Sequence, residues 1–393
     1  MAPSGDAGAM PIPLWRFLLY FLYLGAAGFG GPIALAGYMQ RDLVERRRWI
    51  SLEDYRVGLA LAQLAPGPLA AQLAIYLGYV RAGFWGATLV GVVFTVPSWI
   101  MVVLLGALYV RYGGLWWMQA LFYGIGACVI GIIVRAAYRL SRTTIKMDWL
   151  LWAIFAVMAA STAWAEQEII WLFLLCGLVT LLAKAPPAWA ARLLRGGGTP
   201  LLAAAPFIHP TEGLLGPVST STMAKVLWFF IKAGAFVFGS GLAIVPFLYG
   251  GVVQEYAWLN DRQFLDAVAV AMITPGPVVI TVAFIGYLVA GLYGAAAAAF
   301  GVFLPVYLFV VIPSPWFKRH MHQPQLSAFV AGVTAAATGA IAGAAFVLGR
   351  RAIFDLPTAA IALLTLAIVW RWKLPEPLLI AAAGLAGLLL FRT

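Results

Sequence analysis

Phe29-Gly30-Gly31-Pro32 and Ala65-Pro66-Gly67-Pro68 decide the architecture of this chain, because both motifs return. They reappear as Phe238-Gly239-Ser240-Gly241 and Thr274-Pro275-Gly276-Pro277, each 209 residues further on, with Trp49 and Trp258 keeping the same separation between them. Past the Pro-Gly-Pro the separation becomes 208 and holds: Gly78-Tyr79 matches Gly286-Tyr287, Gly83 matches Gly291, Pro97 matches Pro305, Arg111 matches Arg319 and Gly131 matches Gly339. One residue lost over so long a stretch marks a duplication. In an apolar chain it points to a transporter built from two repeats around a central site.

Hydrophobic residues make up 64% of the 393 and charged residues 10%, against roughly 45–50% and 25% in soluble globular chains. Stretches such as 83–110, 115–134 and 283–312 are apolar on all faces and long enough to span a bilayer. The fold class is therefore an all-α polytopic membrane protein, with the lipid bilayer as its first partner. No basic cluster precedes the first apolar run and Arg16 interrupts it, so a cleaved signal peptide is not expected. Cys128 and Cys176 lie inside apolar segments and read as packed thiols. The loop residues His209, His320 and His322 share no ligand spacing with them, so no metal and no other cofactor is expected. The net charge of +11 reflects basic cytoplasmic loops rather than a nucleic-acid partner.

Each half offers six apolar segments: 14–38, 57–79, 83–110, 115–134, 148–163 and 168–183, then 226–250, 264–288, 291–313, 326–348, 355–370 and 377–391. The last two of each half read as a tight hairpin, turned at Glu166-Gln167-Glu168 and at Arg371-Trp372-Lys373. If all twelve cross, basic residues divide eleven to thirteen between the two sides. If the Pro-Gly-Pro segment of each half dips in and returns, each half crosses five times and the second half is inverted. Basic residues then divide eighteen to six, with Arg16, Arg111, Arg262, Arg350, Arg351 and Arg392 on the poor side, and Lys232 inside a segment. Such a bias obeys the positive-inside rule. The expected architecture is two homologous inverted-topology repeats with about ten transmembrane helices, plus one broken or re-entrant Pro-Gly-Pro segment per repeat. Residues 1–13 form an N-terminal tail, 14–184 the first membrane repeat, 185–225 a cytoplasmic linker rich in glycine and proline, and 226–393 the second repeat. Both termini face outward in this count.

Two prolines flanking a glycine break a helix outright. Broken backbone is tolerated in lipid only where protein or a water-filled cavity satisfies it. Two inverted breaks would meet near the midplane, where secondary transporters commonly hold substrate.

The order Phe29-Gly30-Gly31-Pro32, Glu45-Arg46-Arg47-Arg48-Trp49, Pro66-Gly67-Pro68 resembles the N-terminal half of the chromate ion transporter family. Phe238 to Gly241 followed by Thr274 to Pro277 is similar to its C-terminal half, as in long-chain, two-domain members. The resemblance implies efflux of chromate across the cytoplasmic (inner) membrane, with sulfate as the look-alike dianion and chromate resistance as the cellular role. A homodimer is compatible with it. Two departures bear on the site. A basic residue often precedes the first motif in the family; here it is Tyr23, and its repeat mate Lys232 carries the charge instead. Ser240 stands where a third glycine is usual.

An oxyanion needs hydrogen-bond donors and positive potential without a deep trap, which helix N-termini supply. Gly67 and Gly276, flanked by Pro66, Pro68, Pro275 and Pro277, are the first candidates for substrate-binding backbone, because glycine admits close approach. Gly30, Gly31, Gly239, Ser240 and Gly241 form a second pair of donors. The competing reading is that these glycines only permit close helix packing. Side-chain candidates are Gln63, Gln72, Thr274 and Thr281, which either substrate or a neighbouring helix would satisfy. Lys232 either faces substrate or snorkels to the surface. The run Arg41–Arg56 reads as an interfacial helix anchored by Trp49, or as a basic vestibule gathering dianions.

No phosphate-binding loop is present, so transport is expected to be secondary. Glu45, Glu255 and Asp261 could carry coupling protons or be ordinary loop carboxylates. Three rivals share the scaffold: sulfate uptake, a passive anion channel, and a membrane-embedded enzyme acting on lipid phosphates. The last needs an acidic or histidine base in the apolar core beside an arginine, where these breaks carry Gln and Thr.

Overall fold

Backbone groups in hydrocarbon must be satisfied within their own segment, and this chain answers with helices throughout its described residues. The computed structural model describes residues 12–29, 31–112, 115–166, 170–186, 220–236, 241, 244–320, 323–372 and 374–391. The first repeat comprises α1 (Leu14–Ala27), α2 (Gly31–Met39) running into a π-helical turn (Gln40–Arg46), α3 (Leu52–Leu64), α4 (Leu69–Tyr112), α5 (Trp116–Thr144), α6 (Trp149–Ala165) and α7 (Ile170–Lys184). The second comprises α8 (Thr220–Ala235), α9 (Ile244–Tyr249) with its π-helical turn (Gly250–Glu255), α10 (Asp261–Ile273), a 3-10 turn (Val278–Ile280), α11 (Thr281–Val311), α12 (Ser314–His320), α13 (Pro324–Ala352), α14 (Leu356–Arg371) and α15 (Glu376–Leu390). The linker proposed from sequence lies almost wholly outside the described residues.

The duplication extends to backbone detail. After each π-turn one residue takes the left-handed conformation, Arg48 at φ 52° and Ala257 at φ 48°. The next amide then bonds back into the turn, Trp49 to Leu43 at 2.7 Å and Trp258 to Val252 at 2.8 Å.

Each Pro-Gly-Pro is the tip of a helical hairpin. Gly58 of α3 lies against the ring of Tyr76 in α4, although nine or so residues separate each from the tip. Nor is α4 straight: Ala82 and Gly83 leave helical geometry, the latter at φ 58° and ψ −146°. Behind this kink Gly86 packs on Gly78 and Gly91 on Ile75. Sixteen residues of straight helix would hold the last pair ~24 Å apart, so the arms 69–81 and 84–112 fold back on each other. In α11 the turn recurs at Ala290 and Gly291 (φ 61°, ψ −151°), with Gly286 against Gly294.

The segment 14–38 does not run as one crossing. It breaks after α1, and both outer ends lie on one face: Phe17 and Tyr20 pack on Trp49 with ring centroids 6.4 and 6.5 Å apart. Arg81, at the kink of α4, binds the Ile12 carbonyl. The start of α1 therefore shares a face with Arg81, not the outward face expected from the basic-residue count. The second repeat does the same, with Phe229 on Trp258 at 5.7 Å, so Arg16 and its repeat mate Lys225 exchange sides and the eighteen-to-six division stands.

The paired short helices also differ from expectation. The arms of α6–α7 do not pack mainly on each other; both lie along α13 of the second repeat, and α14–α15 lie along α5 of the first. Glycines permit the approach in equivalent places. A methyl group on Gly124 would overlap the Ala383 carbonyl, and one on Gly332 would meet the Cys176 carbonyl at 2.5 Å. Gly131 meets Ala362 as Gly339 meets Phe155.

Among the described residues four helical stretches are long and apolar enough to cross a membrane: Leu69–Tyr112, Trp116–Arg142, Val278–Phe317 and Pro324–Ala352. Fewer helices meet that measure than the expected ten or so. The helices of the exchanged pairs have 15 to 17 residues, or ~22–25 Å, against a hydrocarbon core of ~30 Å. The molecule is an all-α polytopic membrane protein.

Candidate substrate site where the two repeats meet

Ser51 starts the first hairpin by accepting the Asp54 amide at 3.0 Å, a standard N-cap. The helix stops at Leu64 because Ala65, preceding a proline, is extended (φ −84°, ψ 146°). Gly67 follows at φ 142°, a conformation side chains resist. Gln72, fully buried one turn into α4, folds back over it, and its Nε2 donates to the Pro66 carbonyl at 2.6 Å. Gln72 Oε1 has no partner among the described residues.

The second hairpin is capped by Asn260 and Gln263, which bond each other's backbone reciprocally. It ends at Thr274, and Gly276 takes φ 93°. The Gly276 amide donates to the Gly28 carbonyl at 3.0 Å, so the second Pro-Gly-Pro touches the break between α1 and α2. Ser98 of α4 completes the junction by donating to the Gly25 carbonyl at 3.1 Å. A methyl group on Gly276 would overlap Ser98 Oγ and stand 3.2 Å from the Gly25 carbonyl. Elements of both repeats thus converge on one buried point.

The junction is not symmetric. In the register of 208 residues, Gln72 corresponds to Ile280 and Ser98 to Val306. Its polar side chains come from the first repeat, whereas the cationic candidate comes from the second. Lys232 occupies the last turn of α8 and is half-buried. It stands twelve residues into that helix, ~18 Å along its axis, at the end that leads into the Phe238–Gly241 motif. This is deeper than the sequence segments implied and disfavours snorkelling past the start of α8.

The other expected residues divide. Thr274 and Thr281 turn their hydroxyls onto their own backbone, to Ala271 O at 3.1 Å and Val278 O at 2.7 Å, which is the local structural role. Gln63 is exposed and is not brought to Gln72. Pro68, Pro275 and Pro277 are buried at the two tips. Gly241 is buried, and a methyl group added there would stand 3.2 Å from the Val278 side chain. Gly31 opens α2, while Gly30, Gly239 and Ser240 lie outside the described residues.

Ser98 was not among the sequence candidates. The available signal was a hydroxyl directly after the repeat-matched Pro97, in a stretch whose other hydroxyl side chains nearby are Thr88 and Thr95. Nor was Asp266 among the sequence candidates, and it is only 4% exposed. Of the loop carboxylates, Asp261 binds Arg351 of α13 and accepts from Tyr249 at 2.7 Å. Arg351 also binds Glu166, at the turn after α6 of the other repeat.

The profile of the family described as chromate transporter matches residues 15–181 and 224–388. The chain is 58% identical over 379 residues to a chromate transport protein of Cupriavidus metallidurans, covering 96% of this chain and 93% of that one. It is 57% identical over 375 residues to a probable chromate transport protein of Synechococcus elongatus, covering 94% of each. A chromate transport protein of Pseudomonas aeruginosa is 33% identical over 405 residues, spanning 99% of this chain and 96% of its own. No solved structure matches.

Proposed function

The chain belongs to the chromate transporter family, and on that premise we propose that it is a secondary transporter exporting chromate across the cytoplasmic membrane, which confers chromate resistance. The observation that carries a central site is the Gly276 amide on the Gly28 carbonyl, where a broken segment of one repeat meets a broken segment of the other.

Inverted orientation of the repeats is supported by the two faces. The feet of the first hairpin lie with Trp49 and Arg81. Those of the second lie with Arg351 and Glu166, at the other end of α6 from Asp148 and its partner Lys184. Hairpins entering from opposite faces bring both breaks to mid-depth, where irregular backbone is tolerated only beside protein or a cavity. The Ser98 hydroxyl and the Ala71 and Gln72 backbone amides stay bonded to carbonyls and hold the junction. A dianion there would draw on the second N–H of the Gln72 side chain, the Leu69 and Ala70 amides that open α4, and the ammonium of Lys232. These are donors and positive potential without a buried carboxylate at the tip itself. Rocking of one repeat against the other would expose the junction alternately.

The energetics suit export. An inside-negative potential gives about 2.3 kcal/mol per charge per 100 mV. Two charges therefore sustain a gradient of about three orders of magnitude without a nucleotide site. The test is chromate uptake into everted vesicles carrying this protein, with sulfate as competitor. Accumulation that sulfate inhibits is expected. No accumulation by verified, inserted protein would remove chromate export as the function.

A further inference from the structure

Asp266 lies in the apolar run 264–273 of α10 and is the only charged residue between Arg262 and Thr274. Its Oδ2 accepts from the Tyr109 hydroxyl of α4 at 2.7 Å. Tyr109 also packs edge-on against Phe284, on the returning arm of the same hairpin, at 5.4 Å. Both arms of the second hairpin therefore grip one side chain of the first repeat.

Among the described residues no ion pair includes Asp266. The charges around it are committed elsewhere. Arg262, one turn earlier, favours the ionised carboxylate through space, but its guanidinium donates to the Gln119 carbonyl of α5 at 3.3 Å and makes no ion pair with Asp266. Arg351 of α13 holds Asp261 and Glu166, and its neighbour Arg350 is exposed. Tyr123 of α5 donates to Asp355 at 2.6 Å. Glu376, the one charged residue of α15, interacts with Arg139, and α11 carries no charged residue. On α4, Arg111 stacks over Tyr112. A carboxylate buried with one phenol donor and only an unpaired guanidinium a turn away is costly to hold as an anion, and a proton relieves that cost. Neither member is duplicated: in the repeat registers Asp266 corresponds to Val57 and Tyr109 to Phe317.

We propose that Asp266, held by Tyr109, is a proton-binding site coupled to anion transport; this rests on the transport function proposed above. In the step itself, a hydronium ion from the open face breaks one O–H bond and leaves water, while the proton forms an O–H bond at Asp266. The proton returns to water once the hairpin has changed the face to which it is open, and no bond to the anion forms. Asp266 stands eight residues before Thr274, ~12 Å along α10. At that separation an ionised Asp266 and an anion at the tip oppose each other by roughly tenfold in affinity per anion charge, at an effective dielectric of about 20. Proton and anion thus favour each other's binding reciprocally, and one proton accompanies each dianion, which leaves one net charge to the membrane potential and halves the exponent of the gradient that two charges would sustain.

The experiment is net chromate uptake into liposomes containing the purified protein, driven by a potassium diffusion potential, with a pH-sensitive dye trapped inside. The wild type should acidify the lumen as chromate enters, with uptake falling as pH rises. Asp266→Asn should abolish the acidification and flatten the pH profile. Tyr109→Phe, which removes the donor favouring the charged carboxylate, should move the profile upward by about one pH unit. Chromate uptake without acidification or pH dependence in the wild type would overturn the proposal. So would an Asp266→Asn protein that behaves as wild type. If Asp266→Asn does not insert, the Tyr109→Phe profile decides: a shift supports the coupling and an unmoved profile overturns it. A wild-type protein that moves no chromate at any pH speaks instead against the export function.

Discussion

Gly67 and Gly276 hold corresponding positions but face different surroundings, and substitutions should separate them. Both have positive φ, so alanine at either adds roughly 1–3 kcal/mol of backbone strain. At Gly276 the new methyl also overlaps Ser98 Oγ, inside the junction of the two repeats. At Gly67 it meets the Gln72 amide at 2.6 Å, the end of a side chain that can move. Gly276→Ala should therefore lose at least about tenfold in flux per inserted protein, and more than Gly67→Ala, as read by vesicle uptake; equal losses would argue against the tight junction. Gln72→Leu keeps the volume but removes the bond to Pro66, worth about 1 kcal/mol. It should lower flux while insertion persists. Lys232→Gln should raise the chromate concentration needed for half-maximal uptake, because the lysine stands at the inner end of α8; an unchanged value would place it outside the path.

At the scale of elements, the exchange of α6–α7 and α14–α15 makes each repeat depend on the other. The first half expressed alone leaves α6 and α7 without α13, and it should be degraded or aggregate. Co-expression with the second half should restore a complex recoverable in detergent; a stable, monodisperse first half would contradict the packing. Gly124→Ala and Gly332→Ala press a methyl into equivalent backbone contacts. Each should destabilise the protein by roughly 1–3 kcal/mol, the usual cost of overpacking, measured as loss of the monodisperse peak after heating. The foot of this pair is set electrostatically. The Lys184 ammonium holds the Asp148 carboxyl below its ordinary range, helped by the Leu151 and Leu150 amides that it caps. Because the folded pKa is the lower one, this contribution is present above about pH 4 and fades as pH falls through the folded value. Asp148→Asn should remove that acid-side decline.

For the molecule as a whole, the departures from symmetry are as informative as the duplication. Glu166, Arg351 and Asp261 tie the α6 turn of one repeat to the hairpin foot of the other, with the Arg351 guanidinium 4.8 Å above the Tyr249 ring. In the repeat registers Arg351 corresponds to Thr143 and Asp261 to Leu52, so the opposite face lacks this lock. Arg351→Gln should loosen the basic-poor face. A cysteine placed at Ser98 should then react faster with an impermeant thiol reagent added from that side; unchanged labelling would mean the ion network does not restrain opening.

The sequence by itself determined what depends on local chemistry. A Pro-Gly-Pro ends a helix wherever it sits, a long apolar run seeks lipid, and a repeated motif order survives as a constant separation. Membrane class, two repeats and the broken segments were legible for those reasons, and so was the identity of Gly67 and Gly276 as special backbone. Only the tertiary structure decided which surfaces meet. Helices apolar on all sides carry no stripe that declares their partner, so the exchange of the short helices was hidden. The same holds for Ser98 at the Gly276 tip and for Tyr109 on Asp266, contacts between residues more than 150 positions apart. A short polar side chain in such a helix gains its meaning from what folding brings against it, and that is a property of the assembled repeats rather than of either stretch of chain.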